Sequence, residues 1–350
     1  MGGWCGRKAI VPLGIVGGNL TEAAVKAPSE DVRSVERNAG IDFGRVVAFA
    51  AVVVIHNGIF RHTQFEVAVA VNQLGRFAVP FFFIASGYFY GLNPRSTVET
   101  VRYCIVRIAP IFLFWMLLYD PKALLISGPA SLIALMNGGS GPGGHLWFLP
   151  ALGIALTLTA FVLRFAGILW LVPLALAAYT LGLVGGSYRE AFTPVSGLIG
   201  DTRNGLFFGF PCVVAGVVIA RMSLPPMSRS GLTIAVALLA ILQVSEFLAL
   251  TSLIGYPSEK DFVVATLPFA IAVFILARST KVFGSQNIAN LGTVALGAYA
   301  LHVGILKWLR VLINPDTLYL TLCVTGAAIV MSLTIAYLLA KLPLVARFVR

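Results

Sequence analysis

The feature that most constrains this chain is a series of long apolar stretches separated by short polar connections. A transmembrane helix needs about 20 mostly apolar residues, and several stretches of that kind follow one another here. Of the 350 residues, 58% are hydrophobic and only 11% are charged, whereas a soluble domain carries about 25% charged residues. Lipid must therefore be the solvent for much of the chain. Membrane β-barrels give alternating segments of roughly ten residues, so these longer, continuously apolar runs predict helices.

We predict an all-α polytopic membrane helix bundle of about ten transmembrane helices. The predicted spans are 42–60, 67–92, 103–127, 145–165, 167–187, 204–221, 231–255, 261–279, 290–311 and 317–342. Residues 1–40 are predicted to be a disordered tail or the result of a start codon assigned too early, and 41–345 form the membrane domain. The apolar run after Arg7 and Lys8 is short and no clear cleavage site follows it, which argues against a signal sequence.

The placement of basic residues predicts the orientation of the bundle. One set of loops and helix ends, which includes Arg95, Arg102 and Arg107, holds more Lys and Arg than the other. The richer set belongs in the cytoplasm, so both termini are predicted to be cytoplasmic. The net charge of +11 is then a topology signal, and no basic cluster with interleaved aromatic residues indicates a nucleic-acid partner. The four cysteines are scattered, without a CxxC pair or a histidine at metal spacing, so no metal site is predicted.

Ionisable residues inside apolar spans are costly, and each is therefore a candidate for a functional site. The first predicted helix holds Asp42, Arg45 and His56. At about 100° per residue, Arg45 and His56 share one helix face and lie ~16 Å apart along the axis. Asp42 lies three residues before Arg45 and can pair with it. One stripe thus carries a carboxylate and a guanidinium near the cytoplasmic end and an imidazole deep in the membrane.

Further polar residues lie at or near the predicted outer ends of other spans. Arg76 lies in an apolar run, followed by Pro80, which can kink the helix, and by Ser86-Gly87, which permits close approach of another helix. A glycine-rich connection, 138–144, is suited to a mobile loop over a site or is a plain linker. The other candidates are His145 and Trp147 at the start of the fourth span, Arg203 at the start of the sixth, and Tyr299 and His302 in the ninth.

These residues resemble the signatures of the acyltransferase-3 family of bacterial membrane acyltransferases. Arg45 and His56, separated by ten residues, match its first-helix signature. The stretch 76–88, with phenylalanines before Ser-Gly, is similar to its second-helix element. His145 to Pro150 resembles its Leu-Trp-Phe-Leu element, and Tyr299 to His302 its late Tyr-x-x-His segment. The resemblance covers about 36–342, although Gly44 stands where the family usually has a large aliphatic residue and Val46 where glycine is common.

The resemblance implies transfer of an acyl group, usually acetyl from acetyl-CoA, to a hydroxyl of an envelope carbohydrate. It implies a bacterial inner-membrane location, with the lipid bilayer and a carbohydrate or lipid-linked saccharide as partners. His56 is suited to act as general base, and Arg76 to stabilise the oxyanion or orient the acceptor. Arg45 with Asp42 is the first candidate for binding the polyanionic donor, and Arg102 and Arg107 are further phosphate contacts. The acceptor is assigned to His145, Trp147, Arg203, Tyr299 and His302.

Two other classes of function remain open at this point. Ten helices with buried arginine and histidine also suit a transporter or a flippase of a lipid-linked sugar, although no internal repeat is visible. A membrane sensor or scaffold without catalysis is the third reading. If the chain transfers acyl groups, a passage through the bundle, with His56 near its midpoint, is expected to connect the donor and acceptor sides.

Overall fold

The computed structural model describes residues 38–58, 63–125, 141–222, 227–255, 261–281 and 290–349. These residues form helices and connections, and no β-strand occurs among them. Eight of the described helices are long and apolar enough to cross a membrane, and two more apolar helices are shorter. The eight are α1 (Ala39–His56), α2 (Phe65–Leu92), α3 (Thr97–Tyr119), α4 (Gly144–Phe165), α5 (Ile168–Gly185), α7 (Arg229–Ile254), α9 (Ala295–Ile313) and α10 (Leu318–Leu339). The shorter two are α6 (Gly205–Arg221) and α8 (Thr266–Ser279).

The predicted all-α membrane bundle is confirmed, and each predicted span corresponds to one of these helices. The exact count of ten spans and the cytoplasmic termini stay predictions. Several boundaries differ from expectation; α8, for example, begins at Thr266 rather than at 261. Helix α3 begins at Thr97 rather than at 103 because Ser96 and Glu99 form a reciprocal capping box. Helix α1 ends at His56 rather than at 60. The predicted tail up to residue 37 and residues 138–140 of the glycine-rich connection lie outside the described residues.

Helix α2 is interrupted in its middle. It consists of Phe65–Gly75 and Ala78–Leu92, joined through Arg76 and Phe77. Pro80 lies in the first turn of the second half, where its missing N–H leaves the carbonyl of Arg76 without an intrahelical donor. The interruption falls four residues before the proline, at the arginine itself, and the role of Pro80 in bending the helix stays a prediction.

Glycines bring α2 and α6 into backbone contact. A Cβ atom on Gly87 would lie 2.0 Å from the Val213 carbonyl oxygen, and one on Gly216 would lie 2.0 Å from the carbonyl oxygen of Ile84. Only glycine fits at such a crossing, and small residues of this kind mark close helix packing in membranes. The close approach predicted for Ser86-Gly87 is thus confirmed, and it fixes the second half of α2 in the bundle.

The orientation of the bundle can be tested at the connection between α2 and α3. We expect a single cysteine at Asn93, in a background with the four native cysteines replaced, to resist a membrane-impermeant maleimide in intact cells, because the neighbouring arginines place it in the cytoplasm. Asn93 is exposed and, unlike Ser96, does not cap α3. Asp316→Cys, between α9 and α10, should react as the outside control. Labelling at Asn93 without permeabilisation means that the orientation is reversed.

Candidate active site

Three of the four histidines of the chain lie together. His56 is the last residue of α1, His145 lies in the first turn of α4 and His302 lies in α9. The ring centroids of His56 and His302 are 5.0 Å apart, and those of His145 and His302 are 5.5 Å apart. The family resemblance assigned His56 to catalysis and both His145 and His302 to acceptor binding, and the structure brings all three into one histidine cluster.

The hydrogen bonds of the cluster fix which ring nitrogens carry protons. Nδ1 of His56 lies 2.9 Å from the Val52 carbonyl oxygen, and Nε2 of His145 lies 3.2 Å from that of Ala300. His302 bonds through Nδ1 to the Tyr299 carbonyl. A carbonyl oxygen only accepts, so each of these nitrogens must donate. In a neutral imidazole the other nitrogen then carries a lone pair: Nε2 in His56 and His302, and Nδ1 in His145.

The three lone pairs differ in their surroundings. Nε2 of His302 and Nδ1 of His145 are buried and have no hydrogen-bond partner among the described residues. His56, in contrast, is exposed and lines a cavity. Of these three histidines, only His56 therefore offers a basic nitrogen to a molecule that enters from solvent. The location differs from expectation, since His56 lies at the end of α1 and not deep along it.

A cavity of about 560 Å³ adjoins the histidines at the end of the bundle predicted to face outside, and we call it the outer cavity. Its wall includes His56 and His145, and Trp147 lies beside them. The polar residues that complete the lining are Arg76, Asp201, Arg203, Asp261 and Lys307. A volume of this size is typical of a small-molecule site.

One carboxylate joins two arginines in the wall of the outer cavity. Asp261 lies 2.6 Å from Nη1 of Arg76 and 3.5 Å from Nη1 of Arg203. The guanidinium of Arg203 also lies over the ring of Trp147, 5.6 Å from its centroid. Burial alone raises the pKa of the Asp261 carboxyl, but the charges of Arg76 and Arg203 outweigh burial and hold that pKa below its usual range. Asp261 is therefore ionised and fixes both guanidinium groups.

Neighbouring residues hold the histidine cluster in place. Arg310 donates to the carbonyl oxygen of His56 at 2.7 Å and to the side chain of Asn57 at 3.1 Å, which caps the end of α1. The hydroxyl of Tyr299 donates to the carbonyl of His145. The ring of Tyr119 meets the ring of His145 edge-on, with centroids 4.7 Å apart. Tyr299 thus positions the site and does not line the outer cavity.

A second, apolar cavity of about 10 Å³ adjoins the outer cavity. Val79 lines both cavities, and the remaining walls of the small one are Phe82, Phe148, Leu296 and Tyr299. The centroids of Phe82 and Phe148 are 6.0 Å apart, and those of Phe148 and Tyr299 are 5.8 Å apart. We call these three rings the aromatic constriction.

The aromatic constriction lies on the predicted cytoplasmic side of the histidine cluster. On α2, which runs inward, Phe82 follows Val79 by about one turn. On α9, which runs outward, Leu296 and Tyr299 precede His302. Two helices thus place the small cavity about one turn, ~5 Å, further in. His56 lies on the wall of the outer cavity, and the aromatic constriction lies about one turn further in along these two helices. The continuous passage expected from the sequence stays a prediction.

The candidate donor residues lie at the other end of the bundle. Arg45 pairs with the buried Asp42 at 2.9 Å, as the spacing predicted, and its guanidinium lies over Phe89, 5.2 Å from the ring centroid. Arg45 lines neither of the two cavities. Arg102 and Arg107 are exposed on α3 and line neither cavity either. No group of three metal-binding side chains occurs within the described ranges.

Sequence reasoning missed the residue that organises the cavity wall. Asp261 is not among the residues predicted for the site, because its partner Arg76 lies 185 positions away in the sequence. Lys307 is not among the predicted site residues either, although it lines the outer cavity. A usable signal was present in Asp261, since a carboxylate next to an apolar span needs a cationic partner.

Comparison with known proteins gives a family and two kinds of relative. A family model described as "Acyltransferase domain" matches residues 38–341. The chain is 31% identical over 208 residues to an "Amino-acid racemase" of Enterococcus faecalis, which covers 53% of this chain and 30% of that protein. It is 27% identical over 293 residues to a "Serine/alanine racemase" of Enterococcus gallinarum, which covers 76% of this chain and 40% of that protein. The chain thus spans less than half the length of these relatives. No solved structure matches it.

Proposed function

The chain belongs to the acyltransferase-3 family, and from that premise we propose that it moves an acyl group, acetyl in the first instance, from cytoplasmic acyl-CoA to a hydroxyl of an envelope carbohydrate. The membrane helices and the family together make it a membrane acyltransferase. The main support for this more specific proposal comes from the two ring nitrogens of His56. Its Nδ1 is committed to Val52, and its Nε2 lone pair is the one in the cluster that a substrate in the outer cavity can reach.

The chemistry follows from a hydroxyl placed against this nitrogen. The hydroxyl oxygen attacks the thioester carbonyl carbon while Nε2 of His56 takes its proton. Arg76 stabilises the negative charge that develops on the carbonyl oxygen. The C–S bond then breaks, the thiolate of CoA leaves, and the imidazolium returns the proton to it. The products are an ester and free CoA, and the imidazole is neutral again.

The remaining cavity residues suit acceptor binding. Arg203 and Trp147 stack on one wall, and Lys307 lies on α9 at the predicted outer end. His145 and His302 support the position of His56 through their ring contacts. On the donor side, the thioester must cross the aromatic constriction to reach Nε2, so Phe82, Phe148 and Tyr299 must move apart during turnover.

The test is acceptor-dependent release of CoA. The purified protein, reconstituted into vesicles with acetyl-CoA, should release free thiol only when a hydroxyl-bearing acceptor from an envelope extract is present. Serine should be included among the tested acceptors, because the relative from E. gallinarum is named for serine and serine carries a hydroxyl. The racemase activity itself is not assigned to this chain, since the match covers 40% of that relative. Absence of CoA release with every envelope fraction refutes the proposal.

The second candidate is a carrier for a sugar or a lipid-linked substrate. One observation favours it: the outer cavity lies at one end of the bundle, and the aromatic constriction lies on its predicted inner side, an arrangement that suits a transporter open to one side. Uptake of a labelled solute into vesicles without consumption of acetyl-CoA distinguishes this candidate from the enzyme.

Arg45 provides a prediction on the donor side. We expect Arg45→Gln to raise the KM for acetyl-CoA roughly 10-fold or more, because a charge-assisted hydrogen bond to phosphate contributes about 1.5–3 kcal/mol, whereas kcat changes less. Initial-rate kinetics in vesicles measure both constants. Arg164→Gln, on an exposed arginine at the predicted cytoplasmic end of α4, is the matched control. A change in kcat with an unaltered KM would show that Arg45 does not bind the donor.

A further inference from the structure

Two buried glutamine side chains meet between α2 and α7. Gln73 lies in the outer segment of α2 and Gln243 lies in α7, and they are 1% and 0% exposed. Nε2 of Gln243 donates to Oε1 of Gln73 at 2.9 Å, and Oε1 of Gln243 accepts from the hydroxyl of Thr266, the first residue of α8, at 3.0 Å. We call Gln73, Gln243 and Thr266 the glutamine bridge. It lies outside the lining of the outer cavity.

The elements that the glutamine bridge joins also share a small apolar cluster. Its buried members are Val69, Phe247, Leu250, Val263 and Ala265. Apolar contacts have no preferred direction, whereas a hydrogen bond weakens steeply as its angle departs from linear. A buried amide is also costly unless it is hydrogen-bonded. The glutamine bridge therefore adds a fixed geometry to elements that apolar contacts already hold together.

One end of the glutamine bridge lies within a turn of Arg76. The backbone N–H of Arg76 donates to the carbonyl oxygen of Gln73 at 3.1 Å. Nε of Arg76 donates to the side-chain oxygen of Asn72 at 2.9 Å. Arg76 lies at the interruption of α2, directly after the outer segment. The position of the outer segment therefore determines where the guanidinium of Arg76 lies.

The other end of the glutamine bridge lies beside Asp261. The hydroxyl of Thr266 accepts from the backbone N–H of Val263, two residues after Asp261, at 2.8 Å. The hydroxyl of Tyr179, on α5, donates to the carbonyl oxygen of Val263 at 2.6 Å. Both backbone groups of Val263 are thus bonded to side chains, and one of these side chains belongs to the bridge.

The backbone on either side of Val263 is held in the same way. The carboxylate of Glu246, on α7, accepts from the N–H groups of Val264 and Ala265 at 2.7 and 2.8 Å. The hydroxyl of Ser187 donates to the carbonyl oxygen of Phe262 at 2.7 Å. Hydrogen bonds to an ionised carboxylate are stronger than those between neutral groups. The segment that carries Asp261 is therefore firmly positioned, and the outer segment of α2 must be aligned with it.

We infer that Gln243 is a positioning residue for acyl transfer, because it joins the outer segment of α2 to the start of α8 and so holds Arg76 against Asp261. This inference rests on the proposed function, in which Arg76 stabilises the oxyanion. Two parallel links connect the same elements: the Arg76–Asp261 ion pair on the cavity wall and the buried glutamine bridge. Gln243 acts through the ion pair and does not contact the reacting groups.

A double-mutant cycle tests this coupling. Gln243→Met keeps a side chain of similar length and removes both hydrogen bonds of the bridge. We expect kcat to fall roughly 10-fold, less than the roughly 100-fold effect of a misplacement of about 1 Å, while the KM for acetyl-CoA is unchanged. In the Asp261→Asn background, the same substitution should lower kcat less than about two-fold, because the ion pair that it positions is already broken.

Thr266→Val breaks the bridge from its other end, and Thr159→Val is its matched control. Both threonines are 0% exposed, but the hydroxyl of Thr159 donates to the Ala155 carbonyl within its own helix, α4. Thr266→Val should reproduce the loss of kcat, and it replaces Gln243→Met if that variant does not fold. Thr159→Val should keep the wild-type kcat. Losses that multiply in the double mutant, or equal losses in both threonine variants, overturn the inference.

Thermal unfolding in detergent tests the coupling without any acyl transfer. The fall in unfolding temperature caused by Asp261→Asn should be at most about half as large in the Gln243→Met background as in wild type, and undiminished in Thr159→Val. Equal falls in all three backgrounds mean that Gln243 does not hold the ion pair, and the inference is then wrong. If wild type consumes no acetyl-CoA with any acceptor, the proposed function is wrong, and the unfolding data alone decide whether Gln243 positions Arg76 and Asp261.

Discussion

Replacement of His56 by alanine is expected to lower the turnover of acyl transfer by roughly 10²- to 10⁴-fold, the usual effect of losing a general base. The expectation rests on His56, because among the three histidines of the cluster its free nitrogen is the one accessible from the outer cavity. The KM for acetyl-CoA should change little, since the candidate donor residues lie at the other end of α1. Single-turnover measurements with acetyl-CoA separate the chemical step from binding.

Chemical rescue provides the control for His56. The outer cavity, at about 560 Å³, has room for a free imidazole molecule where the side chain is removed. Added imidazole should therefore restore part of the activity of His56→Ala, with a pH dependence that follows the free base, and should not restore Arg45→Gln. A folded His56→Ala protein with near-normal turnover shows that another group removes the proton.

Asp261→Asn is expected to produce the second large effect. It removes the charge that holds Arg76 and Arg203, whose side chains are only 16% and 33% exposed. Loss of a charge-assisted hydrogen bond costs about 1.5–3 kcal/mol, so the unfolding temperature in detergent should fall. Acyl-transfer turnover should fall roughly 100-fold, because a shift of about 1 Å in a positioning group has an effect of that size.

The pH dependence of stability gives an independent check on Asp261. Because its pKa is lowered in the folded protein, its contribution is present above the ordinary aspartate pKa of about 3.9 and is lost as the pH falls through the lowered value. Wild type should therefore be more stable than Asp261→Asn at neutral pH, and the difference should disappear in strong acid. Asp316→Asn, at an exposed aspartate between α9 and α10, is the control. A difference that is independent of pH shows that the carboxylate charge is not the stabilising element.

The helices could be predicted from sequence because the lipid bilayer requires each membrane-spanning helix to be a stretch of about 20 mostly apolar residues. This requirement applies to each stretch separately. A span such as Arg229–Ile254 is recognisable from its own apolar residues, with no knowledge of its neighbours. The boundaries that differed depend on local chemistry, such as the Ser96–Glu99 capping box, which begins α3 among polar residues. The Asp42–Arg45 pair was predictable for the same reason, since both residues lie on one helix turn.

The candidate site was predictable only in part because it is built from distant segments. His56, His145 and His302 could be predicted only as separate polar residues in apolar surroundings, because a single sequence does not show which helices are neighbours. The Arg76–Asp261 ion pair joins residues 185 positions apart and was not foreseen. Arg102 and Arg107 were selected by charge alone, and charge does not determine which face of a helix points into the bundle.

The interruption of α2 has a mechanical consequence. Its inner half is locked to α6 by backbone contact at Gly87 and Gly216, whereas the segment Phe65–Gly75 is joined to it only through Arg76 and Phe77. Any bending of this helix is therefore concentrated at the residue that also holds Asp261. A ligand that binds Arg76 would therefore act on the junction between the two halves of α2 and on the ion pair with Asp261 at the same time.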